Sequence, residues 1–267
     1  MRLRVCTFNI HHGVGTDGRL DLGRIADVLA ATGATLIGLQ EVDRALSPRS
    51  AWVDQAAWLG ERLDMEVVHG ATIDRDPQVG APPGTPRRRY GNALLSAHPV
   101  RTWQASRLPG SARLEARGLV DATVDADGTE VRMLVTHLQN RSARERREQA
   151  AHLRTVVEGD GLPMPPPSRP TILLGDMNAG PDSPEMRLLA TVLVDAWAAV
   201  GIGPGRTFPA GRPIARIDHV LVSADLRPLT ADVPDTRASD HRPVVVDVEV
   251  DGEVDADVPA EQPGVVS

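Results

Sequence analysis

The chain has 267 residues, 41% of them hydrophobic and 24% charged, which is enough length and apolar content to bury a large core and excludes wholesale disorder. The formal net charge is −7, all 29 basic residues are arginine and aromatic content is only 3%, which argues against a broad surface for gripping nucleic acid. A single cysteine, Cys6, excludes an internal disulfide framework, and no run of 18 apolar residues is present to span a membrane. Met1 runs into strand-like sequence without the apolar stretch of a signal peptide, so a cytoplasmic monomer is expected.

Short apolar runs alternate with helical patterns along most of the chain. Strands are predicted over Leu3–Ile10, Thr35–Leu39, Ala93–Ser96, Leu119–Val124, Val131–His137, Thr171–Leu174, Ile217–Val222 and Pro243–Val250. Helices are predicted over Leu22–Ala31, Trp52–Leu63, Ala143–Val157 and Pro184–Val192, the third opening on a Ser142/Glu145 capping box. Asp74–Arg89, rich in proline and glycine and ending in three arginines, reads as a loop, and Gly159–Pro170 as a stiff connection. The acidic segment 251–267 reads as a disordered tail, leaving a single domain over 1–250.

Polar residues interrupt these strands at their ends. Asn9, Gln40-Glu41, His137 and Asp176-Met177-Asn178 follow apolar runs, whereas Asp218-His219 and Ser239-Asp240-His241 precede them. In a sheet with antiparallel pairs, the end of one strand lies beside the start of its neighbour, so one rim can collect all six groups. Glu41, Asp176, Asp218 and Asp240, with the amides of Asn9 and Asn178, form a hard-oxygen set suited to magnesium or manganese. His137 and His241 add a proton-transfer partner and a donor to developing oxyanion charge, which together suit attack of water on phosphorus. His11, His12, His98, His152 and His219 keep an ordinary structural reading, least securely for His11 and His12, which follow Asn9 directly.

Taken in order, Thr7-Phe8-Asn9, Leu39-Gln40-Glu41-Val42, Tyr90-Gly91-Asn92, Thr136-His137-Leu138, Gly175-Asp176-Met177-Asn178, Arg216-Ile217-Asp218-His219 and Ser239-Asp240-His241 resemble the endonuclease/exonuclease/phosphatase superfamily, with its DNase I-like nucleases. The resemblance implies an α/β fold, a four-layer α/β/β/α sandwich of two mixed sheets flanked by helices. It implies that Glu41 is the main metal ligand, supported by Asn9 and Asp240, with Mg2+ or Mn2+ as the cofactor. It further implies that Asp176 orients or deprotonates the attacking water, that Asn178 holds the phosphate and that His137 donates to a phosphate oxygen or the leaving group. Asp218 would fix His137 or a metal-bound water, and His241 would stabilise the transition state, paired with a carboxylate. Arg117 stands where the family often has a phosphate-facing arginine. The continuation Asn9-Ile10-His11-His12-Gly13 resembles bacterial members of the family, some of them similar to a eukaryotic domain linked to lipid-anchor remodelling.

The function expected from this set is hydrolysis of a phosphoester, a phosphodiester before a phosphomonoester, with a lipid or inositol headgroup as a candidate substrate. A DNA or RNA nuclease is the alternative enzyme, disfavoured by the acidic charge, and a non-catalytic binding protein would not need the full polar set. Arg87, Arg88 and Arg89 read either as a solvated charge run ending a flexible loop or as a mobile arm near the rim that meets a second negative group on the substrate. Because the segment after Asp251 lacks the apolar content to pack, truncation at Gly252 should leave both Tm and activity unchanged. A drop of several degrees in a thermal melt would show that it docks on the core.

Overall fold

The computed structural model describes residues 1–159 and 169–250. The Gly159–Pro170 connection lies largely, and the 251–267 tail wholly, outside the described residues. One sheet contains β1 (Arg2–Asn9), β2 (Leu36–Arg44), β3 (Glu66–Arg75), β4 (Arg88–Ser96), β11 (Leu226–Asp232) and β12 (Val244–Val250), in the order β11-β12-β1-β2-β4-β3. The second contains β5 (Val100–Arg107), β6 (Gly118–Ala126), β7 (Thr129–His137), β8 (Thr171–Asp176), β9 (Val194–Asp195) and β10 (Asp218–Val222), in the order β5-β6-β7-β8-β10-β9. Helices α1 (Leu22–Thr32) and α2 (Gln55–Leu63) follow strands of the first sheet. Helices α3 (Ala143–Glu158) and α4 (Pro184–Leu189) belong with the second, and α5 (Ala196–Val200) packs beside both β10 and β11.

The period of two along each strand sorts side chains into layers. Leu3 and Val5 of β1 meet Met133 and Val135 of β7, Leu174 of β8 and Val246 of β12 in an apolar layer between the sheets. Cys6 and Phe8 point the other way, toward Ile25 and Leu29 of α1 and Leu59 of α2. Leu134 and Leu173 do the same on the second sheet, packing on Leu153 of α3 and Met186 of α4. Three apolar layers between four layers of secondary structure give the expected α/β/β/α sandwich. Both central strand pairs, β1–β2 and β7–β8, are parallel, and their neighbours are antiparallel. Among the described residues, no helix is long and apolar enough to cross a membrane.

Several boundaries differ from the sequence expectation, each for a local reason. The helix expected from Trp52 starts at Gln55, because Asp54, not Ser50, caps it by accepting from the Ala57 N–H. Ser142 does cap α3 through the Glu145 N–H, but the Glu145 carboxylate accepts from the Ser111 N–H instead of closing the box. The helix predicted to reach Val192 stops at Leu189. Strands β3, β5 and β11 lie outside the predicted set: β5 is exposed along nearly its whole length, β11 carries Pro228 beside a register shift, and β3 alternates in burial but fills its middle with His69, Gly70, Ala71 and Thr72, a weakly apolar set. The ends of the expected Asp74–Arg89 loop belong to the β3–β4 hairpin, where Asp74 pairs with Arg89 and Arg75 with Arg88.

Gly38 marks a close approach of the two sheets at the centre of the inner layer. A Cβ there would lie 2.9 Å from Leu174 Cδ1 and 3.1 Å from Val135 Cγ1, so the inner layer has no space for a side chain. Gly38→Val should therefore overpack the interior and cost about 1–3 kcal/mol, read as a lower Tm and denaturation midpoint.

Candidate active site

Register carries the polar residues to one rim. Asn9 lies opposite Gln40 in the β1–β2 pair, His137 opposite Asp176 in β7–β8, and Asp176 opposite Asp218 in β8–β10. Parity then aims them inward. Leu3, Val5 and Thr7 share a face with Asn9; Val131, Met133 and Val135 with His137; Ile172 and Leu174 with Asp176; Val220 and Val222 with Asp218. The site is thus the polar continuation of the apolar layer between the sheets.

Asp176 sits at its centre, with 1% of its surface exposed. Its Oδ2 accepts from Asn9 Nδ2 at 3.0 Å, its Oδ1 accepts from the Asn178 N–H at 2.9 Å, and His137 Nε2 lies 3.3 Å from Oδ2. His241 Nδ1 donates to Asp218 Oδ2 at 2.9 Å, while its Nε2 stands 3.7 Å from Asp176 Oδ2. Asp218 therefore orients His241 and not His137, the partner first expected for it. The Thr207 hydroxyl braces the start of β10 by accepting from the Ile217 and Asp218 N–H groups, and Phe208 packs on the His241 ring at 4.7 Å.

His137 has different neighbours. Arg117 Nη1 lies 3.3 Å from its Nδ1, which must then accept, leaving the Nε2 hydrogen for Asp176. Asn178 Nδ2 donates to the Leu138 carbonyl at 3.0 Å, which brings the amide to 3.0 Å from the same Nε2 with no hydrogen bond between the two N–H groups. Arg117 is buried, ion-paired with Glu115, and its Nε has no hydrogen-bond partner among the described residues.

Burial separates the protonation states of these groups. Burial, reinforced by Asp218, pushes the Asp176 carboxyl up to about 7. Burial also opposes charge on His241, but the Asp218 and Asp176 carboxylates outweigh it and raise the imidazole to about 10. His137 is held well below its ordinary value by burial, then by Arg117 and His241. One histidine is cationic and the other neutral, a few ångströms from one carboxylate.

Glu41 forms the opposite edge of the site. The β2–β4 register shifts between Leu39 and Val42, and Glu41 takes the left-handed φ of 59° in that bulge. Without the bulge, alternation would send Gln40 inward and Glu41 outward; with it, Gln40 bonds to Thr7 while Glu41 Oε1 accepts from Asn9 Nδ2 at 3.3 Å. Burial raises the Glu41 carboxyl above its usual range. Asn9, expected to support a metal as a ligand, spends its Oδ1 on the His11 N–H and its Nδ2 on Glu41 and Asp176, so it works as a brace between the two acids. Ser239 ties β12's approach to the same place by donating to the Asn9 carbonyl at 2.7 Å. Asp240, half-exposed, brings Oδ1 to 3.8 Å from His11 Nδ1. His11 and His12, read from the sequence as ordinary residues, stand beside Glu41; burial, then Arg49, holds His12 down to about 4.

The arginine trio is tied to the acids and backbone at the end of β3. Arg87 pairs with Asp74 and Asp76, Arg88 donates to the Asp76 carbonyl, and Arg89 pairs with Asp74. The expected free arm is a paired hairpin, because the acids of β3 lie opposite it. The cleft of about 420 Å³ beside Arg117 is instead faced by Arg75 and Arg107, which pattern reading passed over because edge strands β3 and β5 supply them. A larger depression of about 900 Å³, between Trp103 and Arg132 on the second sheet, contains none of the clustered site residues.

Residues 6–241 match the model of the endonuclease/exonuclease/phosphatase family. The chain belongs to that family. It is 25% identical over 254 residues to YbhP of Escherichia coli (strain K12), covering 92% of this chain and 96% of that protein. A solved endonuclease/exonuclease/phosphatase structure from Beutenbergia cavernae superimposes with a TM-score of 0.74 at 28% identity, over 93% of this chain and 72% of the other. A mannosyl-6-phosphatase from Bacteroides thetaiotaomicron shares the fold at a TM-score of 0.73 and 18% identity, over 92% of this chain and 99% of that one. Family membership gives the chain a hydrolase fold.

The His241–Asp218 pair carries a defined pH signature. A histidine raised in the folded state contributes stability that is fully present below about 6.5 and lost as pH rises through about 10. Asp218→Asn should thus cost about 1.5–3 kcal/mol near pH 6. The Tm gap to the unaltered protein should narrow as the melt is repeated up to pH 10, and a gap independent of pH would refute the pairing.

Proposed function

We propose that this family member is a divalent-metal-dependent phosphoester hydrolase that attacks phosphorus with a water molecule positioned by Asp176. The observation that carries the reading is the buried Asp176 between a neutral His137 and a cationic His241. A carboxyl pushed up to about 7 is basic enough to take a proton from water near neutral pH, and its second oxygen is fixed by the Asn178 N–H. His241, held by Asp218, offers a fixed positive charge to the oxygens of the phosphoryl group as it becomes five-coordinate. His137 offers its Nε2 hydrogen to a phosphoryl oxygen or the leaving group, while Arg117 keeps its Nδ1 in the accepting role. Asn178 lies close enough to share that oxygen.

The donor chemistry at the opposite edge fits a divalent cation. Glu41 and Asp240 offer carboxylate oxygens, and the orientation of Glu41 is set by Asn9. Mg2+ or Mn2+ held there supplies Lewis-acid stabilisation of charge on the phosphoryl oxygens. For substrate class, the net charge of −7 supports a small or lipid-headgroup phosphodiester over nucleic acid. The fold shared with a protein named a mannosyl-6-phosphatase puts a sugar phosphomonoester on the same panel.

Turnover should disappear with a chelator and return with magnesium or manganese, tested on glycerophosphodiesters, sphingomyelin, inositol phosphates, a hexose 6-phosphate, RNA and plasmid DNA. Full activity in metal-free buffer would overturn the metal requirement. Asp176→Asn and His241→Ala should each lower kcat by about a hundredfold or more with little change in KM, because both groups act mainly in the transition state. Retained kcat in both folded variants would remove them from the mechanism.

A further inference from the structure

The turn after β1 brings two imidazoles against Glu41. His11, His12 and Glu41 each offer a ligand atom, and the three atoms lie within 4.8 Å of one another. The backbone is strained at all three positions, with φ of 44° at His11, 44° at His12 and 59° at Glu41, none of them glycine. Left-handed residues of this kind are costly and persist only where their surroundings over-determine them. The surroundings here do so. Asn9 Oδ1 accepts from the His11 N–H at 3.1 Å, and Gln55 Nε2 donates to the His12 carbonyl at 2.7 Å.

The rings are prepared as well. His11 Nδ1 lies 3.2 Å from the Val14 carbonyl, which requires its hydrogen on Nδ1 and leaves a lone pair on Nε2. That hydrogen bond to a backbone carbonyl is the outer-shell contact that orients metal-ligating histidines. His12 Nδ1 is buried without a hydrogen-bond partner among the described residues. Apolar packing does not account for the pair, since the two rings meet edge to face at 4.5 Å beside a carboxylate. Asp240 adds a second acid to the His11 side at 3.8 Å.

We propose that His11, His12 and Glu41, flanked by Asp240, form a mixed nitrogen–oxygen site that selects a first-row transition cation over magnesium. Magnesium prefers oxygen ligands in a strict octahedron, whereas imidazole favours the ions from manganese to zinc. This deepens the proposed function by naming the class of ion at its cation edge, and it rests on that reading only for the ion's part in hydrolysis.

The test measures binding directly. Calorimetry with Mg2+, Mn2+ and Co2+ should show Co2+ affinity falling tenfold or more in His11→Asn and in His12→Asn, with Mg2+ affinity changing less than threefold. Asparagine is chosen because it tolerates the left-handed backbone. Pulsed EPR of the Mn2+-loaded unaltered protein should show coupling to imidazole nitrogen, which the double variant loses. Should the variants fail to fold by circular dichroism, that spectrum alone decides. Absence of nitrogen coupling, or equal losses for Mg2+ and Co2+, would overturn the mixed site. Absence of phosphoester turnover with every ion would instead overturn the proposed function and leave the spectrum standing.

Discussion

Asp176 is a carboxylate taken almost wholly out of water, and the rest of the site follows from what that burial demands. An isolated buried carboxylate is costly, so it must either hold its proton or be surrounded by donors. The fold supplies donors from four directions: the Asn9 amide from β1, the Asn178 N–H from its own strand end, His137 from β7 and cationic His241 from beyond β10. Asp218, the second buried acid, adds repulsion that raises Asp176 and attraction that charges His241. Both effects require the low exposure that two stacked sheets create.

The two edges of the site are built by different devices. On the second sheet, undistorted alternation is enough, since His137, Asp176 and Asp218 occupy inward positions continuous with Val135, Leu174 and Val220. On the first sheet, alternation alone would leave Glu41 facing outward. A bulge and a left-handed residue turn it back, and further left-handed residues follow in the loop bearing His11 and His12. Asn9 joins the halves through one amide group that donates to both acids. Left-handed residues mark the first-sheet side at His11, His12 and Glu41, and Asn178, with φ of 47°, adds one on the second-sheet side directly after the regular strand β8.

Charge pairing explains why the conspicuous Arg87-Arg88-Arg89 run is not a free arm. Its acids, Asp74 and Asp76, sit across the β3–β4 hairpin and consume two of the three guanidinium charges. Arg117 is the contrasting case. It is buried, its charge is shared between Glu115 and the His137 ring, and its Nε stays unpaired beside the cleft faced by Arg75 and Arg107. Burial, more than local abundance of arginine, distinguishes Arg117 from the surface pairs.

The sequence by itself determined the layers and the list of central residues. Period-two runs in β1, β7, β8, β10 and β12 place Asn9, His137, Asp176, Asp218 and His241 at strand ends, and the order of their motifs points to the family. Pattern did not reach the edge strands β3, β5 and β11: β5 is almost wholly exposed, β11 is interrupted at Pro228, and β3 puts Gly70 and Thr72 where buried apolar residues would mark a strand. Nor did it reveal partners. That Asp218 orients His241, that Asn9 braces two acids, and that His11 and His12 approach Glu41 were decided by the tertiary structure alone. Those relations join β1 to β8 across the gap between sheets or depend on a bulge and left-handed turns, and neither leaves a period in the sequence.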